Sequence, residues 1–288
     1  MMEKNISVGL VSLGCPRNLV DSEVILGILR KNGFRISNRI DRCDAAVINT
    51  CSFVEDARKE SVDLIMRAID LKKEGRVRKI IVCGCLPQRY PEELKKELGE
   101  VDAFLGVSDF PKISRILRDC LEDKRPAEID PQPDFLYDHT SPRMRITPKH
   151  YAYVKLTEGC GNRCSYCVIP SVRGELRSRA MGSVVDEVRM LSRGKKLSEI
   201  NLVGQDITSY GMDRYKKPML ADLLKKVSAL KRPRWLRLLY THPAHYTDEL
   251  IEVIQSEKGI CRYLDLPLQH INDKVLKAMN RGVTKKRS

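Results

Sequence analysis

Cys160, Cys164 and Cys167 stand in the run EGCGNRCSYC, Glu158–Cys167, at the spacing CxxxCxxC. Three thiols within eight residues are one short of a four-thiolate metal site and too close together for separate disulfides. A structural zinc site needs a fourth ligand nearby. The nearest in sequence, His150, precedes the apolar stretch Tyr151–Thr157 and falls at its other end. Iron–sulfur clusters take cysteine thiolates, usually four. A three-cysteine cluster therefore leaves one iron open to bind something else.

A second trio is spread over the chain. Cys15 ends SLGC, Cys51 ends INTC and Cys85 ends VCGC, each just after a short apolar run. Parallel α/β folds place their sites at the carboxyl ends of strands, so three cysteines there converge in space. Gly14 and Gly84 permit sharp turns before two of them. Cys83 falls within its apolar run and is expected to point into packing. Cys43, Cys120 and Cys261 read as ordinary core or helix cysteines. Ten cysteines without a secretory leader favour metal over disulfides.

The elements that must position these thiols alternate. Strands are expected at Ile6–Leu13, Ala45–Thr50, Arg78–Gly84 and Val101–Gly106. Helices are expected at Asp21–Gly33, capped by Asp21 or Ser22, at about Val54–Glu74, at Pro91–Gly99 and near Phe110–Leu121. This rhythm predicts a parallel sheet covered by helices, a domain over 1–121. Prolines and charges over 122–148 predict a linker. The rhythm resumes over 149–288. Strands are expected at Tyr151–Thr157, Glu199–Gly204, Trp235–Tyr240 and Arg262–Pro267. Helices are expected at about Gly182–Arg193, Met219–Leu230 and Thr247–Ser256, and from Asn272 onward. Four βα units do not close a barrel, so an α/β partial barrel, cut short, is expected.

Lys and Arg number 52 against 38 Asp and Glu, a net charge of +14. This suits an anionic partner such as RNA, although the basic residues are scattered and the one dense run is Lys285-Lys286-Arg287. No apolar stretch approaches the roughly 20 residues of a membrane helix, and the N-terminus lacks a signal sequence. A cytoplasmic protein without a membrane partner is the expectation.

The cysteine spacing, with Tyr166 before the third thiol, resembles the radical S-adenosylmethionine (SAM) superfamily. Together the two trios resemble the methylthiotransferases. SLGCPRNLVDSE (Ser12–Glu23), VIPSVRGELRSR (Val168–Arg179), LVGQDITSYG (Leu202–Gly211) and YLDLPLQHINDKVLKAMNR (Tyr263–Arg281) are similar to the RimO-type branch. The resemblance implies two 4Fe–4S clusters. One would be held by Cys160, Cys164 and Cys167 and chelate SAM at its open iron, where SAM is split to a 5′-deoxyadenosyl radical. The other, an auxiliary cluster on Cys15, Cys51 and Cys85, would hold or deliver sulfur. It implies a methylthio group added to the β-carbon of an aspartate in a small-subunit ribosomal protein of the decoding centre, free or in an assembling subunit. An electron donor of flavodoxin or ferredoxin type is also implied. Tyr166 is expected against the adenine, Gln205 at the polar end of SAM, and Arg177 and Arg179 at its carboxylate or the substrate. Gln269 and His270 are expected at the same mouth. The family pattern continues past residue 288 with further barrel strands and a TRAM domain, so the second domain is expected to be incomplete here. Two alternatives stay open: transfer to a tRNA adenosine, as in the MiaB-like branch, and an inactive iron–sulfur protein.

Overall fold

The computed structural model describes residues 6–126, 129–194, 196–230 and 232–286. Arg287 of the terminal basic run lies outside them. The chain divides into two units: Met1–Phe135 with Ser141–Arg145, and Leu136–Thr140 with Ile146–Ser288. The proline-rich segment is therefore shared between the units.

In the first unit the order is β1 (Ser7–Ser12), α1 (Pro16–Lys31), β2 (Arg35–Ser37), β3 (Cys43–Thr50), α2 (Glu55–Lys73), β4 (Val77–Gly84), α3 (Cys85–Arg89), α4 (Pro91–Glu97), β5 (Ala103–Leu105) and α5 (Ile113–Leu121). The five strands are parallel in the order β2-β1-β3-β4-β5. Alternation sorts the faces. Ala46, Ile48, Ile80 and Val82 pack with Ile65, Ala68 and Ile69 of α2. Asn49, on the other face, donates from Nδ2 to Asn18 O and Ser22 Oγ of α1, at 2.9 and 2.8 Å.

One local reading is corrected and one strand is added. The first helix begins at Pro16, not at Asp21 or Ser22. Proline suits the first helical turn because it lacks an N–H that would go unused there. Asp21 and Ser22 then fall in the helix interior and are buried. The short edge strand β2, which aligns Ser7 with Arg35, was hidden by its three-residue length.

The second unit contains β6 (Tyr151–Lys155), β7 (Thr157–Glu158), α6 (Ile169–Arg173), β8 (Arg177–Ser178), α7 (Met181–Ser192), β9 (Glu199–Val203), α8 (Leu220–Ser228), β10 (Trp235–Leu238), α9 (Asp248–Ser256) and α10 (Asp273–Ala278). Strands β6, β9 and β10 form a parallel sheet with β9 central, and β7 pairs antiparallel with β8. Val154, Leu156, Ile200, Leu202, Leu236 and Leu238 form the core with Val184 and Val188 of α7 and Leu223 and Leu224 of α8.

The expected fourth barrel strand is a correction. Arg262–Pro267 forms no strand, and the ladder beyond β10 is a single bridge, Leu236 to Ile260. Asp265 instead ties the segment down: its carboxylate accepts from Tyr240 N at 2.7 Å and its carbonyl from Thr241 N at 3.1 Å. Tyr263 and Leu264 are left about half exposed.

Candidate functional site: two cysteine trios at strand ends

In the first unit, Cys15, Cys51 and Cys85 follow β1, β3 and β4, three adjacent strands of one sheet. The register pairs Ser12 with Asn49 and Asn49 with Cys83, so the three chain exits lie side by side. Gly14 (φ +83°) turns so tightly over the next strand end that a Cβ there would lie 2.7 Å from Cys51 Cβ and 2.9 Å from its Sγ. Gly84 (φ +98°) is equally constrained, because a Cβ would meet Asn49 Oδ1 at 2.3 Å. Side chains tie the three loops together. Asn18 Nδ2 donates to Leu13 O at 2.7 Å and Thr50 O at 3.1 Å. Ser52 Oγ donates to Cys85 O at 3.1 Å, and Arg89 Nη1 to Ser52 O at 2.7 Å.

The thiols differ from the other cysteines in setting. Cys15 is the N-cap of α1 and receives Arg17 Nε at 3.3 Å. A helix N-terminus and a guanidinium both favour a thiolate. Cys85 opens α3 and is partly accessible. Two residues earlier Cys83 is fully buried within β4, and burial pushes its thiol far above the usual range. Burial likewise raises the Cys43 thiol, the Cys120 thiol to about 11, and the Cys261 thiol.

In the second unit the CxxxCxxC loop leaves the sheet through β7. Gly159 (φ +68°) lets it turn under the next segment; a Cβ there would lie 2.0 Å from Glu175 O. Cys160 N donates to Gly174 O at 3.1 Å, and Cys167 N to Cys164 O at 3.0 Å. Cys160 and Cys164 are buried, and Cys167 is partly accessible. Burial raises the Cys160 thiol to about 11, with further pushes from Asp206, Cys167 and Cys164 nearby. Donors that reach the sulfurs include Ile169 N, to Cys167 Sγ at 3.4 Å, and Arg281 Nη1, to Cys164 Sγ at 3.5 Å.

Beneath the loop sits a buried charge cluster. Glu158 accepts from Lys155 Nζ at 2.6 Å, Arg173 Nη1 at 3.1 Å and Gln205 Nε2 at 2.7 Å. Burial opposes ionisation of Glu158, but Arg173 and Lys155 overcome it and hold the carboxyl well below the usual range. Gly204, Gln205 and Asp206 follow β9. Asp206 accepts from Asn162 Nδ2 inside the cysteine loop at 2.8 Å and from His245 Nδ1 and Ser209 Oγ, both at 2.7 Å. It also accepts from Thr208 N at 3.0 Å and from the Thr208 hydroxyl.

Asp206, His242 and His245 lie within reach of one metal ion. Their hydrogen bonds argue against that use. Five donors already fill the acceptor positions of the Asp206 carboxylate, which has about four. His242 Nδ1 accepts from Ala244 N at 3.2 Å, so the neutral ring carries its proton on Nε2 and offers no lone pair there. Burial, with Arg281 nearby, lowers His242 to about 4 and keeps it neutral. Its Nε2, like Gln205 Oε1 and Arg281 Nε, is buried without a hydrogen-bond partner among the described residues.

The expected SAM contacts are placed unevenly. Tyr166 is half exposed beside Cys164. Gln205 lies beneath the loop on Glu158. Arg177 donates to Glu175 O and Arg173 O, at 3.1 and 3.2 Å. Arg179 is buried, paired with Glu187 of α7, donating to Lys155 O at 3.0 Å and stacked 4.4 Å over the Tyr137 ring. Gln269 is exposed with φ +70°, and His270 Nδ1 accepts from Asn272 N at 2.9 Å in a local turn. Sequence reasoning missed Glu158, Asp206 and Arg281 as site residues. The signal for the first two was a carboxylate at a strand end beside cysteine or glutamine; nothing short-range pointed to Arg281. A cavity of about 730 Å³ opens at the other ends of the strands, lined by Ser198, Arg232, Arg234 and Lys258, with no cysteine in its wall.

Parallel strands with a three-cysteine loop at the carboxyl end of the first define a radical SAM-type domain, here preceded by a second cysteine-bearing α/β domain. The comparisons agree. Residues 154–288 match the radical SAM superfamily, and residues 7–106 match uncharacterized protein family UPF0004. A ribosomal protein uS12 methylthiotransferase RimO from Heliobacterium modesticaldum is 47% identical over 277 residues, 96% of this chain and 60% of that relative. The protein of the same name from Pelotomaculum thermopropionicum is 48% identical over 280 residues, 97% of this chain and 63% of that relative. The radical SAM methyltransferase TsrM from Kitasatospora setae shares the fold at a TM-score of 0.67 and 14% identity, over 99% of this chain and 62% of that one. The chain is similar to these RimO-type methylthiotransferases over nearly its whole length and spans about three fifths of the length of the curated relatives it matches.

Proposed function

We propose that the chain is the two-cluster portion of a methylthiotransferase acting on an aspartate β-carbon of ribosomal protein uS12. The observation that supports this best is the pairing of two separate three-thiol sets, each at strand carboxyl ends, each with one ligand too few to close a four-iron cluster. The donor chemistry suits such groups, since cysteine thiolates are the usual cluster ligands. Cys160, Cys164 and Cys167 would hold one 4Fe–4S cluster, and Cys15, Cys51 and Cys85 the other. When bound, the first supplies the electron that splits SAM, and the second supplies sulfur chemistry.

The chain's own part is orientation and exclusion of water. Glu158, pinned by Lys155 and Arg173, fixes the base of the first cysteine loop, and Asp206 anchors Asn162 within it. Tyr166, exposed at the loop, is the residue we assign to the adenine face. His242 Nε2–H and Gln205 Oε1 offer a buried donor and acceptor to polar groups of SAM. The partly exposed charge of Arg177 suits the SAM carboxylate, whereas the buried pair with Glu187 supports a packing role for Arg179. The reaction needs a flavodoxin- or ferredoxin-type reductant and a cytoplasmic site. Among the described residues no helix is long and apolar enough to cross a membrane.

Anaerobic reconstitution tests this. About eight irons per chain are expected, since each cubane holds four, falling to about four after Cys15→Ala, Cys51→Ala and Cys85→Ala together. Iron content unchanged by these substitutions would remove the auxiliary site. Incubation of the full-length protein with SAM and either uS12 or tRNA should add a methylthio mass to uS12. Addition to tRNA alone would transfer the reading to adenosine chemistry.

A further inference from the structure

The short helix α10 ends in a way that aims one residue at the cysteine loop. Met279 is its C-cap, and Asn280 follows in the left-handed region (φ +49°). Asn280 N donates to Lys277 O and Arg281 N to Leu276 O, both at 3.0 Å. These are the two bonds of a Schellman motif, with asparagine at the left-handed position it tolerates. The motif leaves the carbonyls of Ala278 and Met279 to be satisfied from elsewhere. Both are satisfied by one residue of the CxxxCxxC loop: Ser165 Oγ donates to Ala278 O at 3.2 Å and Ser165 N to Met279 O at 3.0 Å. Asn280 Nδ2 adds a bond to Arg163 O at 2.7 Å. The loop between the second and third cysteines is thus clamped to a helix end more than a hundred residues away in sequence.

Arg281 leaves that clamp inward. It is buried, its Nη1 lies 3.5 Å from Cys164 Sγ, and its Nη2 donates to Pro267 O at 2.5 Å. Nε has no hydrogen-bond partner among the described residues. A guanidinium is always charged, so this is a permanent positive donor held on one ligand sulfur in a buried setting. Hydrogen bonds to ligand sulfurs and local charge set iron–sulfur potentials. A cation at the sulfur favours the state with one more electron.

We propose that Arg281 is a positioning residue that holds Cys164 and raises the reduction potential of the cluster on Cys160, Cys164 and Cys167. The proposal rests on the assignment of an iron–sulfur cluster to those cysteines.

The test uses the whole chain, reconstituted anaerobically in a background of Cys15→Ala, Cys51→Ala and Cys85→Ala, so that a single cluster titrates. Replacing Arg281→Met should lower the one-electron reduction equilibrium constant about tenfold, a midpoint about 59 mV more negative. Arg281→Lys, which keeps the charge without the planar fork, should shift it in the same direction by less. Lys277→Met removes an exposed cation from the same helix and should leave the midpoint where it was. If Arg281→Met does not fold by circular dichroism, Arg281→Gln replaces it with the same expectation. A full iron complement with a midpoint equal to that of Lys277→Met overturns the proposal while leaving the cluster assignment standing. Absence of iron from the background chain itself would overturn the assignment instead.

Discussion

At the scale of single residues, two cysteines two positions apart do opposite things because of strand geometry. Cys83 ends its side chain in the α1-facing layer of the sheet, and burial keeps its thiol protonated. Cys85 lies past the left-handed Gly84, outside the ladder. That contrast was legible in VCGC, since a glycine between two cysteines marks where the strand must stop. Gly14 makes a sharper case. An alanine there takes on about 1–2 kcal/mol of left-handed backbone strain and places a methyl where Cys51 already sits. The Cys51 side chain must move. Gly14→Ala is therefore expected to lower the iron content from about eight to about four per chain while the first unit stays folded. Iron counting beside circular dichroism checks it, and a full complement of iron in the folded variant would contradict the geometry.

At the scale of elements, the sequence was readable wherever a long apolar run fed one sheet, and unreadable where a third partner decided the outcome. RYLDLP has the composition of a strand, yet no ladder forms along it, and it is held by Asp265 bonded to residues 240 and 241 and by Arg281 on Pro267 O. The start of α1 was missed because Asp21 and Ser22 look like caps, whereas Ser22 is bonded to a strand end from inside the helix, as is Asn18. Arg179 shows the same limit. Its neighbourhood in sequence, GELRSRA, gives no hint of Glu187 nearly two turns into α7 or of Tyr137 stacked on it. That pair, with the bond to Lys155 O, fastens the β7–β8 return to β6 and α7. Removing only the cation strands a buried carboxylate, which typically costs about 3–5 kcal/mol. Arg179→Met should destabilise the second unit by that amount in urea titration. Adding Glu187→Leu should recover most of the loss, as apolar replacement of both partners of a buried pair often does. A surface role for Arg179 predicts a change below about 1 kcal/mol and no recovery.

At the scale of the molecule, each unit builds its cysteine trio from its own chain. Cys15, Cys51 and Cys85 depend on β1, β3 and β4, which pair only within the first sheet. Cys160, Cys164 and Cys167 depend on β7, the Glu158 cluster and the α10 clamp, all within the second unit. The two cores described above each draw on residues of one unit. Each site, with its described bonds drawn from its own unit, is expected to assemble whether or not the other is present, because substitutions far apart and without shared partners act additively. Replacing Cys160, Cys164 and Cys167 by alanine should therefore leave about four irons per chain, replacing the first-unit trio should leave about four, and replacing all six should leave none. The net charge of +14 bears on the partner rather than on this arithmetic, since such charge acts over the surface through long-range attraction that salt screens. Iron retention in each three-cysteine variant should accordingly be the same at low and high salt. Loss of all iron from either variant would mean that the two sets of thiols serve one shared centre.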